Sequence, residues 1–222
     1  MIRVFVICEG QTEESFVNDV LAPHLWTFGV YLFPRLIGTR GHQGGNVKFE
    51  RVLVDIKNLV LSDSAAYCTT LFDYYGIHSD FPGRADANSG WLPERKHIHF
   101  CTSFGQKVAD ALGQDAARRF IPYVQMYEFE GLLFSCPVRS AVGMGEPTLT
   151  TPLQAIRNAF ATPEHINDSV LTAPSKRISQ IMRGYQKPLH GISAALEIGL
   201  PDIRQACRLF DQWVSELEAL GP

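Results

Sequence analysis

The chain has 222 residues, of which 45% are hydrophobic and 19% charged, enough apolar material for a continuous core and too little charge for a disordered or coiled-coil chain. A net charge of −3 and a pI near 6.2 exclude a uniformly basic nucleic-acid binder, but leave room for a local basic cluster or a bound cation. No apolar run is long enough for a signal peptide or a membrane span, and the five cysteines (Cys8, Cys68, Cys101, Cys136, Cys207) form no CxxC pair, so a cytoplasmic protein with reduced, buried thiols and no membrane association is expected.

Ile2–Cys8 is short, β-branched and almost wholly apolar, which predicts a buried strand. Gly10 permits a turn, Thr12 can cap a helix, and Glu13 and Glu14 fall in its first turn, where the helix dipole favours acids. The apolar face Phe16, Val17, Val20, Leu21 runs up to Pro23. Residues 31–37 predict a second strand, with Pro34 pointing to a sheet edge or bulge. Gly38–Asn46 predicts a loop, and Phe49, Val52, Leu53, Ile56, Leu59 and Val60 a helix. Tyr67–Phe72 predicts a third strand ending at Asp73. Residues 74–96 predict a long loop, of the kind that often carries function. A short strand over 97–101, a helix over about 103–113 and a fourth strand over Phe120–Met126 follow. The fourth strand leads into Tyr127–Glu130 and a short helix to Phe134. Beyond that point the patterns are helical. Thr151–Pro152 and Ser175 mark helix starts, and Pro201 opens a last helix with Ile203, Cys207, Phe210, Trp213, Val214 and Leu217 on one face. Strand–helix alternation followed by helices alone predicts an α/β fold, with a mainly parallel sheet, helices on both faces and a helical C-terminal cap. The expected division is an α/β core over 1–140 and a helical region over 141–222 packed on it.

Open α/β sheets bind ligands at the C-terminal ends of their strands. Three of the strands end in acids: Glu9, Asp73, and the pair Glu128 and Glu130. One such acid reads equally well as a cap or a solvated loop residue, but three sets could converge into an oxygen-lined site for Mg²⁺ or Mn²⁺. Without a cation the carboxylates would repel and raise each other's pKa. Between Pro174 and Lys187 lie Lys176, Arg177, Arg183 and Lys187 and no acid. Lys176 and Arg177 follow a helix start, where bases are unusual unless an anion binds, so they are the candidate phosphate contacts, with a solvated basic face as the alternative. Arg35, Arg40, Lys48 and Arg51 could add to that patch. His97 and His99 would share a strand face but have no third ligand nearby. His42 and His190 stand beside glycines.

The run Cys8-Glu9-Gly10-Gln11-Thr12-Glu13 after an apolar strand resembles the opening of TOPRIM domains. More closely, the chain resembles a prokaryotic TOPRIM-like family of unknown function, related to the OLD nucleases and often encoded beside an ABC-type ATPase. The stretches that carry the likeness are Phe72–Gly76 with Phe81–Gly83, Tyr127–Phe134, Pro174–Arg177, Tyr185–Gly191 and Cys207–Trp213. The resemblance implies a TOPRIM/Rossmann-like sheet, with Glu9 as general acid/base or metal ligand and Asp73 as the first acid of the usual Asp-x-Asp pair. Tyr75 replaces the second acid. Glu128 or Glu130 would supply the missing oxygen, Asp80 being the weaker stand-in, with Glu13, Lys187 and His190 as auxiliaries. The expected function is a metal-dependent phosphodiester hydrolase, a nuclease on DNA or RNA that could work with an ATPase in mobile-element or phage defence. The alternatives are a catalytically inactive TOPRIM-shaped module that binds an ATPase or nucleic acid, and a phosphohydrolase acting on nucleotides or other small molecules. Oligomeric state is left open.

Overall fold

The structure is a computed structural model that describes residues 1–37, 46–167 and 170–222, without the side chain of Val170. Its centre is a four-stranded, wholly parallel sheet in the order β2-β1-β3-β4, made of β1 (Ile2–Cys8), β2 (Val30–Leu36), β3 (Ala66–Leu71) and the two-residue β4 (Phe120–Ile121). Between β1 and β2 run α1 (Gln11–Phe16), a π turn (Val17–Leu21) and α2 (Ala22–Trp26). Pro23 cannot donate to the carbonyl of Asp19, and the widened turn accommodates the missing bond. Then come α3 (Phe49–Ser62), α4 (Pro93–Leu112) and α5 (Gln114–Ala117). A 3₁₀ turn (Phe129–Phe134) follows β4 and precedes α6 (Pro137–Gly143), α7 (Thr150–Asn158) and α8 (Pro174–Ile181). A second π turn (Lys187–Gly191) leads to α9 (Ile192–Ile198), α10 (Leu200–Ala206) and α11 (Arg208–Glu218).

The period-two alternation of the strands divides the interior. Val4, Val6 and Cys8 point to one face and pack with Phe16, Leu21 and Leu25, and with Ile192, Phe210 and Trp213 from the C-terminal helices. Ile7, Cys68 and Phe72 point to the other, against Val52, Ile56 and Val60 of α3 and Phe100, Phe104 and Val108 of α4. Residues beyond 140 thus share a core with β1. Position 140 itself falls inside α6.

Several local expectations are corrected. Residues 97–101 lie inside α4, whose buried face repeats at Phe100, Phe104 and Val108, so His97 and His99 do not share a strand face. The fourth strand pairs over two residues only, because Pro122 removes a donor. The chain continues extended to a bridge between Gln125 and Asp73. Thr12 is buried inside α1, with Gly10 at the N-cap position. Ser175 does not cap α8, since Ala173 holds that position and Pro174 opens the helix. The last helical pattern is two helices broken at Cys207. Pro34 does sit on the edge strand. Among the described residues no helix is long and apolar enough to cross a membrane. Cys8, Cys68 and Cys207 are buried, Cys101 and Cys136 partly so, and all five are free thiols.

Candidate active site

Because β1 and β3 are parallel neighbours, the residues after them emerge at the same sheet edge. Glu9 is the first residue past β1, and its Oε2 accepts a hydrogen bond from the Asp73 backbone N–H at 3.2 Å. Gly76 faces the Glu9 carboxylate so closely that a Cβ there would lie 2.1 Å from Oε2. Asp73 Oδ1 accepts from the Phe129 N–H at 2.7 Å, which ties the start of the 3₁₀ turn to the end of β3. Asp73 Oδ2 accepts from Lys187 Nζ at 2.8 Å. The same ammonium lies 3.0 Å from Glu13 Oε1 and 3.5 Å from Glu130 Oε2. Glu13, Asp73 and Glu130, carried by different segments, therefore form an acidic cage around one lysine, and Glu9 joins it through the Asp73 N–H.

Burial is the main force on these groups. It raises Asp73 well above the usual carboxylate range; Lys187 opposes the shift, and Glu13, Glu9 and Glu130 add to it. Glu130 is raised for the same reason, again against Lys187. Desolvation works against the charge on Lys187, but Asp73, Glu130 and Glu13 outweigh it and hold the ammonium charged. Glu13 Oε1 and Glu130 Oε2 are buried and receive no hydrogen bond, despite their nearness to Lys187. Tyr185 Oη, whose phenol burial pushes up with Glu130 adding to the shift, also lacks a partner. Carboxylate oxygens suit Mg²⁺ or Mn²⁺, and the two orphaned oxygens suit a cation. The spacing present is the spacing around an ammonium, and among the described residues no three acids, histidines or cysteines are disposed to ligate one ion.

Other candidates have local duties. Among the described residues Glu128 forms no ion pair with Lys187, its Oε2 accepting from the Ser175 N–H at 2.8 Å at the N-terminus of α8. The anion at that helix end is therefore the chain's own carboxylate. Arg177 donates to the Thr172 carbonyl at 2.8 Å and lies over the Phe160 ring at 4.9 Å, while Lys176 is exposed. His190 Nδ1 accepts from the Gln186 N–H at 2.9 Å, and its ring stacks on Tyr185. Asp80 is on the surface beside His78. Arg35 lies over the Phe5 ring, and Arg51 donates to the Ile37 carbonyl. Arg40 and His42 lie outside the described residues. Tyr75, in the place of a second acid, donates its hydroxyl to Asn167 Oδ1 at 2.7 Å. Lys187 carries more of the site than its place in a basic stretch and in the Tyr185–Gly191 run suggested.

A family model described as "Domain of unknown function (DUF4276)" matches residues 8–218. The chain belongs to this family. No curated protein and no solved structure matches it. The DUF4276 match begins at the last residue of β1 and ends at the last residue of α11, so it takes in all four acids of the cage, Lys187 and the C-terminal helices.

Proposed function

We propose that the chain is a divalent-cation-dependent phosphodiester hydrolase of TOPRIM type, a nuclease on DNA or RNA that could act with an ATPase partner. One observation carries the reading: Glu13, Asp73 and Glu130 are gathered at the C-terminal sheet edge around a single cationic position, with Glu9 against the Asp73 N–H. That many buried carboxylates repel one another unless a cation offsets them, so the arrangement is costly without a use. Were Lys187 displaced, Glu13, Asp73 and Glu130, which now surround its ammonium, would hold Mg²⁺ or Mn²⁺, with Glu9 beside Asp73. The ion would supply Lewis acidity toward a phosphate oxygen and a water of lowered pKa. The chain's own groups do the positioning. The Asp73 N–H and Gly76 fix the Glu9 carboxylate, and the Phe129 N–H and Lys187 fix Asp73.

The test is metal-dependent nicking of DNA and RNA by wild type, Glu9→Gln and Asp73→Asn, together with calorimetric titration of Mn²⁺. Both variants are expected to lose cleavage by about 100-fold or more. Equal cleavage by all three proteins would sink the assignment. A second reading, a binding module without catalysis, is favoured by Lys187, which already does a cation's work in the cage, and by Tyr75 in the place of an acid. It is supported instead if no Mn²⁺ binds at millimolar concentration and no strand is cut.

A further inference from the structure

Next to the cage lies a second constellation that the hydrolytic reading does not use. Tyr74 and Tyr75 follow Asp73, and Tyr127 comes two residues before Phe129, whose N–H holds Asp73. The three rings pack together, Tyr75 to Tyr127 at 5.5 Å and Tyr74 to Tyr127 at 6.2 Å between centroids. Tyr127 has φ +63°, a left-handed conformation that costs a bulky residue free energy and is retained where the surroundings demand it. Tyr127 forms one wall of a cleft of ≈ 420 Å³ whose lining includes Trp91, Lys96, Phe160 and Asn167. That is within the size range of small-ligand sites.

Three cations stand on these rings: Arg95 lies over Trp91 at 4.1 Å, and Lys96 and Arg84 lie at the tyrosines. Lys96 Nζ is 5.8 Å from the Tyr127 centroid and hydrogen-bonds to the Ser89 carbonyl at 2.9 Å. Arg84 lies over Tyr74 at 4.1 Å and near Tyr75 at 5.9 Å, and its buried Nε has no hydrogen-bond partner. Lys96 and Arg84 are close enough that the charge on Arg84 disfavours protonation of Lys96, after burial as the larger cause. Among the described residues neither forms an ion pair with a carboxylate. Of the acids nearby, Glu94 pairs with His165 through Oε1 at 3.3 Å and keeps a buried Oε2 without a hydrogen bond, Asp86 pairs with His99 at 3.0 Å, and Glu128 accepts from the Ser175 N–H. A cation at the cleft without a paired carboxylate favours an anion.

We infer that this cleft binds one nucleotide unit, its phosphate at Lys96 and its base against Tyr127 beside Trp91, with Arg84 adding positive charge from behind the tyrosine wall, and that its source is an unpaired nucleic-acid strand. Cations along an aromatic platform are the means by which single strands are held without sequence preference. A cleft of this volume takes one nucleotide rather than a base pair. The inference deepens the proposed function and rests on it for chemistry, but not for binding, which needs no metal.

The experiment is fluorescence anisotropy of a labelled single-stranded oligonucleotide with the full chain in EDTA, beside a duplex of the same sequence. Competition by a mononucleotide and by inorganic phosphate completes the set. Single-strand affinity is expected to exceed duplex affinity by about tenfold or more. Lys96→Glu and Trp91→Ala should each weaken it by about tenfold, with Lys96→Glu also lowering the salt dependence by about one phosphate contact. Unchanged thermal midpoints and Mn²⁺ affinity in these variants would show that the fold and cage are intact. Should Lys96→Glu unfold the chain, Lys96→Gln with the same readout serves instead. Competition by the mononucleotide as strong as by the oligonucleotide would support the nucleotide site but overturn the strand as its source. Duplex binding equal to single-strand binding, or affinity that ignores both variants, would overturn the inference. A chain that binds single strands through this cleft yet never cuts them sinks the hydrolytic reading alone, and one that cuts while ignoring the cleft variants sinks this inference alone.

Discussion

A methyl group at Gly76 would stand 2.1 Å from Glu9 Oε2 and 2.5 Å from its carboxyl carbon, so any larger residue must push that carboxylate aside. The obstruction is the far end of a side chain, not backbone, and the fold can yield where the site cannot. Gly76→Ala is therefore expected to keep its thermal midpoint within a few degrees, while Mn²⁺ affinity by calorimetry falls by about 10–100-fold, as for a residue that orients a ligand. Glu164 is a buried acid outside the cage. Its Oε2 and Oε1 accept from the Leu209 and Phe210 N–H groups at 3.1 and 2.9 Å at the start of α11. Burial raises its pKa from 4.5 to about 7, with the two backbone bonds opposing and Glu94 adding. The folded chain thus holds this proton more tightly than the unfolded chain does. The group's contribution is fully present below pH 4.5 and is lost as pH rises through about 7, by roughly 3 kcal/mol as an upper bound. Glu164→Gln keeps an acceptor and removes the charge. Urea unfolding at a series of pH values is expected to show that fall flattened in the variant. An unchanged pH slope would mean that Glu164 titrates as in water.

The elements around the cage are held by close backbone packing. α6 crosses α9 at Gly143, where a Cβ would meet Ala194 Cα and the Ser193 carbonyl oxygen, both at 2.6 Å. Backbone atoms cannot rotate away. Gly143→Ala should therefore force the helices apart, and a loss of about 1–3 kcal/mol is expected in chemical denaturation. The π turn Lys187–Gly191 delivers the ammonium to three acids, and Lys187→Met leaves Glu13, Asp73 and Glu130 without it. The variant is expected to melt several degrees lower without metal, and to regain more of its midpoint on adding Mn²⁺ than wild type gains, since the ion would then have no internal competitor. Differential scanning fluorimetry with and without Mn²⁺ reads both. At this scale the sequence was a mixed guide. The apolar period of α3 placed that helix, and Phe100, Phe104 and Val108 carry the same spacing in α4. A short polar–apolar alternation around His97 nevertheless read as a strand, because five residues fit either period.

Across the whole molecule, Trp213 binds the C-terminal helices to the sheet. Its Nε1–H donates to Thr69 Oγ1 at 2.9 Å, and its ring stacks on Tyr123 at 4.3 Å between centroids. Trp213→Ala is expected to cost about 3–5 kcal/mol. Because α9, α10 and α11 share a core with β1, far- and near-ultraviolet circular dichroism should report one coincident transition in wild type. Two separated transitions would show that residues 1–140 and 141–222 fold independently. What the sequence determined was the class of fold and the places where acids leave the strands, because strand and helix periods and terminal residues are local properties. Glu9 and Asp73 were legible for that reason. Only the tertiary structure decided which acids meet. Glu128 and Glu130 are two residues apart, yet one accepts a helix N-terminus and the other faces Lys187. It also decided that the cation among these acids comes from 114 residues beyond Asp73, that the anion at the start of α8 is internal, and that Arg84 and Lys96 reach the same tyrosine cluster. Those juxtapositions depend on how β1, β3 and the C-terminal helices pack, and that geometry is encoded in the whole core rather than in any stretch of chain.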